Sequence, residues 1–122
     1  MKVAVTAKGD TLDAQVDPRF GRCATFLIVE SDDMTFEVVD NSGAAAGGGA
    51  GIQAAQQVAD KDVKSLLTGN CGPNAFKTLE AAGIEVISGV SGTVKEAVVA
   101  YKDGKFKAAS DANVESHNGM NS

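Results

Sequence analysis

"VKSLLTGNCGPNAFKTLEAAGIEVIS", residues 63–88, decides the fold class. Val63 to Thr68, "VKSLLT", read as a strand, and residues 69–72, "GNCG", are a short loop. Pro73 suits the first position of a helix, where a missing N–H leaves nothing unpaired. Phe76 and Leu79 then lie on one helical face, and Gly83 supplies the C-terminal stop. Residues 84–88, "IEVIS", return to a strand. Strand, helix and strand in so short a span place helices against a sheet.

The same alternation continues outward. "TVKEAVVAYKDG", residues 93–104, opens with the capping pair Thr93 and Glu96, carries Val94, Ala97, Val98 and Tyr101 on one face, and ends at Gly104. Toward the N-terminus, "KVAVTA" (2–7), "ATFLIVE" (24–30) and "TFEVVD" (35–40) read as strands, and the turn-like "SDDM" makes the second and third a hairpin. "NSGAAAGGGAG" (41–51) is a glycine-rich loop that opens a helix, "IQAAQQVAD", with Ile52, Ala55, Val58 and Ala59 on its apolar face. The expected architecture is α/β: a five-stranded mixed sheet in the order 3-2-1-4-5, strand 2 antiparallel, flanked by helices. Residues 1–104 make one domain, and residues 105–122 a polar tail, expected to be mobile.

Composition narrows the function classes. The chain has 122 residues, 43% hydrophobic and 22% charged, with 14 glycines and no tryptophan, which fits one globular domain. A net charge of −5 and a pI near 4.7 argue against nucleic-acid or anionic-membrane binding, since both need a basic face. No signal-like or membrane-length apolar run is present, so a cytoplasmic location is expected. Two cysteines are too few for a disulfide scaffold and in a reducing cytosol would be free thiols.

Strands 1, 3 and 4 end on the same edge of such a sheet, and the order reverses between strands 1 and 4. Ligands of open α/β sheets favour that switch point. Three loops meet there: 7–23, 41–51 and 69–72. The first contains "DPRFGRC" (17–23), in which Arg19 and Arg22 supply charge, Gly21 backbone access and Phe20 an apolar surface. Helices starting near Ala50 and Pro73 aim their N-termini at the crevice, where unpaired N–H groups favour an anion. Gly47, Gly48, Gly49 and Gly51 allow close approach, and Asn41, Asn70 and Asn74 offer amides. The competing reading has the glycines serve packing and the arginines pair with Asp10, Asp13 or Asp17.

Several chemistries lack their residues. No Lys-Ser or Lys-Thr closes the glycine run, so the triphosphate loop is missing, and "GAGIQA" (49–54) lacks the tight turn and downstream acid of a dinucleotide site. A ribonuclease H-like strand order invites a small Mg²⁺-dependent nuclease or phosphotransfer enzyme, for which Asp40 and Asp10 or Asp13 lie near the right edge, but strand 1 has no carboxylate. The one histidine, His117, lies in the tail, too far from an anchor to activate Cys23 or Cys71. Those thiols could ligate a soft metal, form a redox pair or line the site, and the helix N-terminus would lower the Cys71 pKa. His117 and Met120 are further soft-ligand candidates.

"DPRFGRCATFLIVE", "GGGAGIQAAQQVAD" and "LLTGNCGPNAFKTLEAAGIEVISGVSGTVKEAV" together resemble the dinitrogenase iron-molybdenum cofactor biosynthesis family, which includes cofactor carriers of the NifX and NafY type. The resemblance spans roughly residues 2–104. It implies a ribonuclease H-like fold and noncovalent binding of an anionic metal–sulfur cluster, without catalysis. The family's binding region carries over to Arg19, Phe20, Gly21, Arg22, Gly49, Gly51, Gly69, Asn70, Gly72, Pro73 and Asn74. Carriers of the iron-molybdenum-sulfur cofactor are expected to offer a His or Cys ligand, and these motifs supply thiols only at 23 and 71. That favours a molybdenum-copper sulfide cluster of the thiomolybdate–copper–thiomolybdate type. The implied partners are cofactor-assembly proteins or phosphate-loop ATPases.

Overall fold

A computed structural model of the chain describes residues 1–41 and 50–106. Five strands and three helices follow in the order β1 (Lys2–Ala7), β2 (Thr25–Glu30), β3 (Phe36–Asp40), α1 (Ala50–Ala59), β4 (Ser65–Leu67), α2 (Pro73–Ala81), β5 (Glu85–Ile87) and α3 (Val94–Lys102). The sheet order is β3-β2-β1-β4-β5, with β2 antiparallel to both neighbours and β1, β4 and β5 parallel. This is the mixed α/β sheet that the sequence implied.

Strand alternation divides the core in two. Ala4, Phe26, Ile28, Leu66 and Val86 face α1 and α2, where Ala54, Ala55, Val58, Phe76 and Leu79 cover them. Val3, Val5, Leu27, Val29, Leu67 and Ile87 point the other way, against Val94, Ala97 and Val98 of α3. One expectation fails here. Ile52 is 37% exposed, while Ala54 is fully buried in its stead. The apolar face of α1 is turned because α1 meets α2 through small residues: a Cβ built on Gly51 would lie 3.4 Å from that of Ala75.

Local chemistry sets the element ends. The hairpin turn uses Met34 at φ 62°, with Asp33 Oδ1 accepting from Thr35 N at 3.0 Å and from Thr35 Oγ1 at 2.7 Å. Helix α2 stops at Gly83, φ 79°, and Ile84 N donates to Leu79 O at 3.0 Å. Helix α3 has the expected capping box: Glu96 N donates to Thr93 Oγ1 at 3.1 Å, and Thr93 N to Glu96 Oε1 at 2.9 Å.

Register places the loops. Ala7 pairs with Thr25, Thr25 with Asp40, Val5 with Leu67 and Leu67 with Ile87. The C-terminal ends of β1, β3, β4 and β5 therefore share one edge, with the start of β2 between them.

Candidate functional site

At that edge the arginine loop is tied down at both ends. Asp17 is 2% exposed. Its N–H donates to Thr6 O at 2.9 Å, and its carbonyl accepts from Thr6 Oγ1 at 2.7 Å. The same Thr6 hydroxyl lies 3.0 Å from Thr68 Oγ1, so the end of β1, the residue after β4 and the start of the loop share one buried polar knot. Asp17 Oδ1 accepts from Arg19 N at 2.9 Å and stands 3.4 Å from Arg19 Nε. Of the three acids named as possible arginine partners, Asp17 is the one that pairs. Arg22 is exposed, with no carboxylate in ion-pair range among the described residues.

The loop then docks on the segment before α2. Arg19 and Asn70 form a parallel bridge, in which Phe20 N donates to Asn70 O at 3.2 Å. Behind it, a Cβ on Gly69 would come within 2.6 Å of Pro18 Cα. The two backbones meet there, and only glycine fits. Asn41 closes the third side: its Nδ2 donates to Cys23 O at 3.0 Å and to Gly21 O at 3.2 Å. Arg19, Gly21, Asn41, Gly69 and Asn70 are thus one connected set.

Phe20 takes a different place from the one its sequence context suggested. At 2% exposure it is a core residue, its ring centroid 5.7 Å from that of Phe26. It anchors the loop from below. Helix α2 begins at Pro73 on an N-cap, Gly72, that has no side chain to cap it. Asn74 is exposed in its first turn, and Gly51, half-buried, brings the start of α1 alongside. Gly47, Gly48 and Gly49, with His117 and Met120, lie outside the described residues.

Cys23 and Cys71 are both buried, 0% and 1% exposed. Burial, reinforced by the Asp17 carboxylate, pushes the Cys23 thiol up to about 12. Burial likewise pushes Cys71 up to about 12. This corrects the expectation that the α2 N-terminus would lower Cys71: loss of water around the thiolate disfavours its charged form. Asp10, Asp13 and Asp40 are all exposed, and among the described residues no three His, Cys, Asp or Glu side chains gather to hold a metal ion. Nor is any described helix long and apolar enough to cross a membrane.

What sequence reasoning undervalued is the buried Asp17 with Thr6 and Thr68. The signal available was "DPR", whose aspartate can close an Asx turn on the following backbone.

The chain as a whole is similar to known proteins. A family model described as dinitrogenase iron-molybdenum cofactor matches residues 1–104. The apo form of the orange protein from Desulfovibrio gigas is 46% identical, with a TM-score of 0.89 over 92% of this chain and 95% of that one. A putative NifB protein from Thermotoga is 35% identical, with a TM-score of 0.81 over 94% and 98% of the two chains. An uncharacterized protein of Methanocaldococcus jannaschii is 27% identical over 88% of this chain and 90% of its own length.

Proposed function

The chain belongs to the dinitrogenase iron-molybdenum cofactor family, and from that premise we propose that it binds and carries an anionic, molybdenum-containing metal–sulfur cluster rather than catalysing a reaction. The observation that carries this is the bridge between Arg19 and Asn70, which brings the cationic loop against the N-terminus of α2. Two arginines on one loop and a helix start without a side-chain cap lie along one edge of an acidic molecule. Such a place suits a compact anion, because forked donors and backbone N–H groups act over a short range.

The cluster is of the thiomolybdate–copper–thiomolybdate type. Its outer surface is sulfide, which accepts weak hydrogen bonds and needs no protein ligand. The burial of both thiols supports this choice over the iron-molybdenum-sulfur cofactor, for which an accessible thiolate or imidazole ligand is expected. Arg19 and Arg22 would offset the cluster's charge, and Gly51, Gly69, Asn70, Gly72, Pro73 and Asn74 would provide close-approach backbone and amides. The cluster would arrive from, or pass to, cofactor-assembly proteins or phosphate-loop ATPases.

Anaerobic reconstitution with tetrathiomolybdate and Cu(I), followed by gel filtration and elemental analysis, tests this. Molybdenum and copper should co-elute with the protein and give a sulfide-to-metal charge-transfer band, retained when Cys23 and Cys71 are both changed to serine. Elution of the protein without metal would overturn the reading. Colour lost only in the serine variant would instead mean thiolate ligation.

A further inference from the structure

A buried carboxylate beside an anion site needs a reason. Asp17 is 2% exposed, and on charge alone it weakens any anion held by Arg19 and Arg22. Its surroundings do not treat it as a spare acid. The backbone of Asp17 is bonded on both sides to Thr6, whose hydroxyl also meets Thr68, so its position is set by the ends of two central strands. From there Oδ1 takes the Arg19 N–H at 2.9 Å and faces Arg19 Nε at 3.4 Å. The ion pair engages the inner edge of the guanidinium. The Arg19 side chain remains 65% exposed, which leaves its outer nitrogens open to a ligand.

We infer that Asp17 is a positioning residue: it fixes the orientation of Arg19, so that the outer fork of the guanidinium is set for the cluster before the cluster arrives. This rests on the proposed cluster-binding function. A long exposed arginine otherwise loses rotamer freedom on binding, and holding it in advance removes that loss. The inference has an unusual sign. Neutralising Asp17 makes the site more positive yet weakens anion binding.

The test is titration of the full chain with the tetrathiomolybdate–Cu(I) unit, following the charge-transfer band, in four proteins beside the wild type: Asp17→Asn, Arg19→Gln, the double variant, and Arg19→Lys. Asp17→Asn keeps an acceptor for the Arg19 N–H but loses the charge that holds Nε. It should raise Kd about fivefold or more, the size of coupling usual between contacting residues. In the Arg19→Gln background the same change should leave Kd unaltered or tighten it. Arg19→Lys keeps the positive charge without an Nε fork, on a residue exposed enough to spare the fold, and should weaken binding by a similar factor. Unchanged or tighter binding by Asp17→Asn in the wild-type background would overturn the inference, as would equal weakening with and without Arg19. Should Asp17→Asn fail to fold, Arg19→Lys decides, and binding equal to wild type would overturn it. A wild-type protein that takes up no cluster is a separate outcome, which overturns the proposed function on which the inference rests.

Discussion

Cys23 and Cys71 look at first like the natural metal ligands of a metal–sulfur protein, and their environment opposes it. Each thiol is buried, and each needs a pH near 12 to ionise. Their role below that pH is to fill the core under the arginine loop and the α2 loop, as small apolar side chains do. This has a measurable consequence for stability. In the unfolded chain the thiols ionise near their ordinary value of 9.0, while the folded chain keeps both protons to about 12. Between those values the unfolded state binds fewer protons, so stability falls as pH rises, by at most about 1.4 kcal/mol per pH unit for each thiol. More than about one unit below 9.0 the thiols contribute almost no slope. Urea unfolding from pH 7 to 11 should show this decline in the native chain and a shallower one after Cys23→Ser and Cys71→Ser, whose difference removes the contribution of lysine and tyrosine. Equal slopes would mean that the thiols ionise freely in the folded protein.

Helices α2 and α3 show how two similar elements acquire different chemistry at their N-termini. The start of α3 is closed by its own chain: Val94 N donates to Ala14 O at 2.9 Å, Lys95 N to Leu12 O at 2.9 Å, and Glu96 N to the Thr93 side chain at 3.1 Å. The start of α2 has no side-chain cap and no acid in its first turn. Among the described residues its positive end therefore has fewer side-chain claims on it. Asn74→Asp puts a carboxylate in that first turn and should separate folding from binding. The apo protein should gain about 0.3–1 kcal/mol from the favourable charge at the helix N-terminus. Cluster affinity should fall about tenfold through like-charge repulsion. Thermal denaturation and cluster titration of the one variant check both signs. Loss of affinity together with loss of stability would point to a disturbed helix instead.

For the molecule as a whole, the fold was legible because each strand carries a run of apolar or β-branched residues long enough to fix its place. Punctuation by Pro73, Gly83 and Thr93 marks the helices between them. The phase of α1 was not legible: in "GIQAAQQVA" most of the apolar residues are small and define a face weakly, and contact with α2 turns Ala54 inward and Ile52 outward. At the site, the loops were legible but not the direction of their side chains. Asn41 reads as a ligand amide, yet it donates to the carbonyls of Gly21 and Cys23, a pairing across some twenty residues that no local pattern displays. Charge was legible only as a sum, and the sum conceals two opposing fields. The chain carries −5 overall, with Asp10, Asp13 and Asp40 exposed near the same edge as Arg19 and Arg22. Acids that do not touch the anion would repel an anionic cluster, and arginines in contact with it would attract it. Salt screens both, with a Debye length falling from ~10 Å at 0.1 M toward ~3 Å at 1 M, and the more distant repulsion is screened first. The two effects offset each other, so Kd for the thiomolybdate–copper unit should change less than about threefold between roughly 0.05 and 0.5 M salt. A fall in affinity of about tenfold or more over that range would mean that a diffuse positive face, rather than a local cradle, holds the anion.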